Sequence, residues 1–176
     1  MSALTKRNMR LTACILSDRE GHKATAEQPA NYVFCFDPAT QCLKAASDWV
    51  REPNGLAFSP DESLLYVSDT SAALDETGNH QIVKFDVTAN NTLTSPRVFA
   101  VVNPGLPDGF RVDAQGWLYT SSLDSVQIYH PDGTLLGKIH VPEKVGNLCF
   151  GGAQKNQLFI AASTSLYRIT LRTQGL

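Results

Sequence analysis

The chain has 176 residues, room for one domain with a core of its own and little else. Hydrophobic residues make up 43% and charged residues 18%, with 9 Pro and 12 Gly scattered rather than clustered, which excludes disordered, collagen-like and coiled-coil classes. Fifteen Lys and Arg against seventeen Asp and Glu leave a formal charge of −2, so there is no electrostatic footprint for nucleic acid or an anionic membrane.

Residues 1–16, MSALTKRNMRLTACIL, differ in kind from the rest. They carry Lys6, Arg7 and Arg10 without an acid and lack strand alternation. Their apolar run falls far short of the ~20 residues that span a bilayer or of a signal-peptide core of about 7 to 15. The expectation is an unmatched leader ahead of one domain over 17–176, in a cytoplasmic protein. Cysteine usage agrees: Cys14, Cys35, Cys42 and Cys149 show no C-x-x-C spacing, so a zinc ribbon, a thioredoxin motif and a disulfide scaffold are all disfavoured. Free thiols are expected, with Cys35 and Cys149 acting as small hydrophobes inside apolar runs.

From residue 31 onward, short β-branched and aromatic runs such as YVFCFD, LLYVSD, QIVKFDV, SVQIY and QLFIAA alternate with turn residues. The separators include Asp37-Pro38, Ser59-Pro60-Asp61, Pro131-Asp132-Gly133 and Gly151-Gly152, each able to turn the backbone at low cost. No window of helical length shows a 3.6 period, so the chain reads as all-β: a sandwich, barrel or propeller. A repeat decides among them. Pro53-Asn54-Gly55, Pro107-Asp108-Gly109 and Gly146-Asn147 open successive units spaced 54 and 39 residues apart, and a period of about 40 to 50 residues with four strands per unit signals propeller blades. An inserted loop over Ser71 to His80 explains the longer first unit. The units read as two strands of one blade over 31–47, full blades over 53–101 and 107–141, and three strands over 146–171. That makes about three blades, where a closed ring takes about four to eight.

In a propeller the inner strands start at one end of a common axis, so Asn54, Asp108 and Asn147 become neighbours by repeat. Converging oxygens suit a hard divalent cation, with Gly55 and Gly109 permitting tight turns. P-N-G and P-D-G are equally ordinary turn tripeptides, and from the repeat alone both readings stand.

The runs Pro53-Asn54-Gly55-Leu56-Ala57-Phe58-Ser59-Pro60-Asp61, Leu65-Tyr66-Val67-Ser68-Asp69-Thr70, Gly105-Leu106-Pro107-Asp108-Gly109-Phe110-Arg111-Val112-Asp113 and Asn147-Leu148-Cys149-Phe150-Gly151-Gly152 resemble the gluconolactonase/regucalcin family. The resemblance covers about residues 17 to 176. It implies a six-bladed β-propeller with one divalent metal, Ca²⁺ or Zn²⁺, hydrolysing five- or six-membered sugar lactones, and a chain that holds the C-terminal half of a truncated ring. It implies metal ligands from a first-blade Glu, the P-N-G Asn and the P-D-G Asp. Asn54 and Asp108 carry over, with Asp108 also the catalytic residue that handles the water proton. The Glu has no counterpart here, and neither Glu20 nor Glu27 sits in its motif, so the site is half built and lactone hydrolysis by this chain is expected to be impaired. The expected partners are therefore a small-molecule sugar lactone and, through open blade edges, a second copy of the chain, with no nucleic acid and no membrane. The competing class is a noncatalytic scaffold module or nonfunctional remnant.

Other residues read as bland. His22, His80, His130 and His140 share no catalytic spacing, and Ser121, Ser122 and Ser125 lack a surrounding G-x-S-x-G. Asp69 and Thr70 could meet substrate hydroxyls or cap a loop, and Arg111 could pack, pair or function.

Overall fold

The computed structural model describes residues 10–14, 28–90 and 92–176, so Glu20, His22 and Glu27 lie outside the described residues. Four antiparallel sheets follow one another along the chain. The first holds β1 (Arg10–Cys14), β2 (Tyr32–Asp37) and β3 (Cys42–Ser47). The second holds β4 (Pro53–Phe58), β5 (Leu64–Asp69), β6 (Gln81–Val87) and β7 (Leu93–Val101). The third holds β8 (Phe110–Val112), β9 (Leu118–Ser121), β10 (Ser125–Tyr129) and β11 (Leu135–His140). The fourth holds β12 (Val145–Gly151), β13 (Gln157–Ala162) and β14 (Leu166–Thr170). These are the blades of a β-propeller. Each is a meander, and the strand spans expected after residue 31 are met.

The strand at Arg10–Cys14 departs from the reading of residues 1–16. It pairs with β2 in register from Arg10 opposite Phe36 to Cys14 opposite Tyr32. The segment Leu11-Thr12-Ala13-Cys14 alternates too weakly to announce a strand, and β2 supplies its backbone partners from outside the segment. With β1 in place, β1 lies beside β4, β4 beside β8 and β8 beside β12, so the strands that open each sheet form one inner row.

Three cores fill the gaps between successive sheets. Val33 and Cys35 of the first pack against Leu65, Val67 and Phe85 of the second. Tyr66, Ile82 and Phe99 of the second pack against Phe110, Leu118 and Tyr129 of the third. Tyr119 and Val126 of the third pack against Leu148, Leu158 and Ile160 of the fourth. Strand alternation explains how one strand serves two cores: Leu65 and Val67 face one way and Tyr66 the other. β5 is buried from Leu65 to Asp69, which is why its sequence reads as a continuous apolar run rather than an alternating one. Edge strands β3 and β14 are largely exposed, with Leu43 57% and Leu166 71% accessible.

Cys149 is a correction. Its apolar run suggested burial, yet it is exposed while Cys35 is buried. In β12, Val145 and Leu148 turn to the core, and the pleat sends Cys149 to the opposite face.

At the end where the inner strands begin, Glu143 clasps the turn between β13 and β14, accepting from the Thr164 N–H at 2.7 Å and the Tyr167 hydroxyl at 2.7 Å. The Ser165 and Tyr167 hydroxyls, with the Thr164 N–H, hold its carboxyl down to about 2 from an ordinary 4.5. A carboxyl whose pKa is lower folded than unfolded stabilises the fold above its unfolded pKa and loses that effect as pH falls through the folded value. Glu143→Gln should therefore melt slightly earlier than the parent at about pH 7 and alongside it near pH 2. Thermal melts across that range check this, and a gap that does not change with pH contradicts it.

Candidate functional site

Gly55 and Gly109 are not turn glycines. The glycines with positive φ are Gly105, Gly116, Gly133 and Gly152, so the two motif glycines have backbone that any residue adopts. They are glycines because another strand presses on them. A Cβ at Gly55 would stand 2.5 Å from the Asp108 carbonyl oxygen, and one at Gly109 would stand 2.2 Å from Asn147 Oδ1 and 2.9 Å from Asn147 Cα. Close approach is the second use of glycine, and here it draws the three motifs into one row: Asn54-Gly55 against Asp108, and Asp108-Gly109 against Asn147.

Two serines brace that row. The Gly55 N–H donates to Ser68 Oγ at 2.7 Å, and Ser68 Oγ donates to the Asp108 carbonyl at 3.3 Å. The Asp108 N–H donates to Ser121 Oγ at 2.9 Å. Sequence reasoning missed both roles, although the repeat held the signal: Leu65-Tyr66-Val67-Ser68 and Leu118-Tyr119-Thr120-Ser121 are equivalent segments.

The third unit does not repeat the first two. Leu56 pairs with Val67, Phe110 with Thr120 and Leu148 with Ile160, which sets Asn147 level with Gly55 and Gly109 rather than with Asn54 and Asp108. The equivalence of Asn54, Asp108 and Asn147 is thereby corrected by one residue. Ala161 stands where the other units carry a serine.

Asn54 and Asp108 are half-buried, and among the described residues the side-chain oxygens of neither receive a hydrogen bond. Buried carboxylates elsewhere are engaged. Asp69 accepts from the Glu52 N–H at 3.2 Å, the Ser71 N–H at 3.1 Å and Asn79 Nδ2 at 2.9 Å, which makes it the brace of the inserted loop rather than a substrate contact. Asp113 accepts from the N–H groups of Gln115 and Trp117, both at 2.9 Å, and from the Thr173 hydroxyl at 2.8 Å. The fully buried Glu52, directly before Pro53, accepts from Asn31 Nδ2 at 3.3 Å and was not foreseen.

Unengaged amide and carboxylate oxygens on neighbouring inner-row motifs are donors of the kind a hard divalent cation takes. The described residues hold no cluster of three or more His, Cys, Asp and Glu that could bind a metal.

The remaining candidates are structural. Ser122 Oγ donates to the Ser125 carbonyl at 2.7 Å, and Ser125 Oγ donates to Asp124 at 2.7 Å, which pins the loop between β9 and β10. Arg111 donates to the Phe110 carbonyl at 2.7 Å. His80 Nδ1 donates to the Val102 carbonyl at 2.7 Å, and the exposed His130 pairs with Asp132 at 3.1 Å.

Comparison with known proteins identifies the family. Residues 12–164 match the SMP-30/Gluconolactonase/LRE-like region family. The gluconolactonase of Zymomonas mobilis is 37% identical over 155 residues, covering 85% of this chain and 43% of the relative. Lactonohydrolase oryH of Aspergillus oryzae is 28% identical over 181 residues, covering 93% of this chain and 39% of the relative. A solved gluconolactonase of Xanthomonas campestris superposes with a TM-score of 0.75 at 39% identity, covering 84% of this chain and 47% of that one. The chain thus spans less than half the length of these relatives. With a matching region that runs through all four sheets and contains both Asn54 and Asp108, the chain belongs to the SMP-30/gluconolactonase/LRE-like family.

Proposed function

We propose that the chain carries part of a metal-dependent sugar-lactone hydrolase site, with Asn54 and Asp108 as cation ligands and Asp108 as the catalytic residue. The observation that supports this most strongly is that Asn54 and Asp108, half-buried and with side-chain oxygens that receive no hydrogen bond among the described residues, stand on motifs that the Gly55–Asp108 backbone approach brings against one another. Ca²⁺ suits the amide and carboxylate oxygens better than Zn²⁺, which favours nitrogen and sulfur. Ca²⁺ takes 6 to 8 oxygens, so two protein donors make a weak site with a dissociation constant of about 10⁻⁴ to 10⁻³ M and slow turnover. Cytoplasmic residence fits the free thiols Cys35, Cys42 and Cys149.

A bound divalent cation supplies Lewis-acid stabilisation of the charge that develops on the lactone carbonyl oxygen. The chain's own part is positional and acid–base. Ser68 and Ser121 fix the Asp108 backbone from both sides, which holds the carboxylate in place. Asp108 accepts a proton from the water that adds to the carbonyl carbon and returns it to the ring oxygen as the acyl C–O bond breaks, leaving a hydroxy acid and the carboxylate regenerated.

A pH-stat assay of D-glucono-lactone opening, corrected for spontaneous hydrolysis, tests this. Turnover above background in millimolar calcium, lost on adding a chelator, is expected. A rate equal to spontaneous hydrolysis in saturating calcium contradicts it.

A second copy is the expected partner. Tyr32 and Phe34, with rings 5.7 Å apart, lie on the face of the first sheet opposite Val33 and Cys35, beside the exposed Leu43. At the other end Leu166 and Cys149 are exposed on the fourth sheet. Two apolar sheet faces of this kind promote association. Light scattering should show dimers or larger species that grow with concentration, and a monomer at every concentration contradicts this.

A further inference from the structure

Asn147 presents a chemistry that the repeat did not foretell. Its Oδ1 accepts from the Leu148 N–H at 2.8 Å, and only the oxygen of an amide can accept, so this bond fixes which end of the side chain is which. The same oxygen folds over Gly109, 2.2 Å from where a Cβ would stand. The Gly109 N–H donates to the Gly146 carbonyl at 2.9 Å, which ties β12 to the residue next to Asp108. What remains is Nδ2 with its two N–H donors. Among the described residues it has no partner, and Asn147 is exposed. An amide whose oxygen already serves a backbone N–H has a donor to offer, and a hard cation takes oxygens rather than N–H groups.

Resting on the lactone reading above, we propose that Asn147 is a substrate-binding residue: its Nδ2 donates a hydrogen bond to a hydroxyl or ring oxygen of the lactone seated at Asp108, and it takes no part in holding the cation. A polyhydroxylated lactone is ringed by oxygens able to accept such a bond. Asn54 and Asp108 offer acceptor oxygens to the cation, so a neutral donor one residue along divides the work between metal and substrate. This also accounts for a side chain at a position where the first two units carry glycine, for no described strand presses on β12 from beyond.

The test uses the full chain in saturating calcium, with KM and kcat for D-glucono-1,5-lactone from pH-stat rates and the calcium dissociation constant from calorimetry. Asn147→Ala and Asn147→Asp should each raise KM by about three- to tenfold, the effect of one neutral hydrogen bond. Asn147→Ala should leave the calcium dissociation constant within about twofold, since no ligand is removed. Asn147→Asp keeps an oxygen for the Leu148 N–H but loses the donor and adds a negative charge. Its KM is therefore compared at saturating calcium with that of Asn147→Ala, which loses the donor without adding charge, and a purely structural role would leave KM unchanged in both. An unchanged KM in Asn147→Asp, or calcium binding loosened by Asn147→Ala, overturns the assignment. Asp108→Asn separates the two levels. If it removes calcium binding and turnover while the Asn147 variants keep the parent KM, the Asn147 role alone is wrong. If it removes neither, or the parent shows no calcium-dependent turnover, the lactone reading fails and the Asn147 role with it.

Discussion

Asp108→Asn should reduce calcium-dependent lactone opening by at least about 100-fold, beyond the 10- to 100-fold that altering a group one step removed from a metal produces. The substitution changes almost no volume but removes the charge that Asp108 brings to the cation, and an amide is a far weaker proton acceptor than a carboxylate. The backbone of the residue stays where it is, because Ser121 Oγ holds its N–H and Ser68 Oγ holds its carbonyl. The melting temperature should therefore be unchanged, which separates lost chemistry from lost fold. Ser122→Ala is the control: its hydroxyl is spent on Ser125, so a modest loss of stability, about 1 kcal/mol, with the rate retained is expected. Pairing the pH-stat assay with melting curves checks both.

Gly55→Ala should damage stability and site together. The new methyl would stand 2.5 Å from the Asp108 carbonyl oxygen and 3.1 Å from the Phe110 ring, and a backbone oxygen cannot swing aside as a flexible side chain can. Overpacking of this kind destabilises by about 1–3 kcal/mol, and here the relief is to push β8 away from β4, which separates Asp108 from Asn54. Gly137→Ala meets nothing within 4 Å and should fall within about 0.5 kcal/mol of the parent. Urea unfolding of both variants checks the contrast. Equal behaviour would contradict the close approach of the Asp108 carbonyl as the reason for Gly55.

That contrast marks how far the sequence reads on its own. The blades from residue 31 onward were legible because each strand is closed by turn residues such as Asp37-Pro38 and Pro131-Asp132-Gly133, and turn chemistry is local. The inner strand at Arg10–Cys14 was not, since its partner β2 lies 18 residues beyond its end and nothing local announces it. The positions of Asn54 and Asp108 were legible from the repeat, but the reason for their glycines was not. Close approach of another strand leaves the same letters as a tight turn. Asn147 was aligned by letter rather than by pairing, and only the register of Leu148 opposite Ile160 shows the one-residue offset. By sequence Asp69 reads as either a substrate contact or a loop cap, and its three donors from Glu52, Ser71 and Asn79 make it the brace of the loop.

The central claim, that Asn54 and Asp108 together hold a divalent cation, is tested most directly by calorimetric titration of calcium into the parent chain, Asn54→Ala and Asp108→Asn. The parent should bind one ion with a dissociation constant of about 10⁻⁴ to 10⁻³ M, and each variant should show no resolvable binding over the same range. Calcium bound equally well by the parent and by Asp108→Asn would contradict the claim.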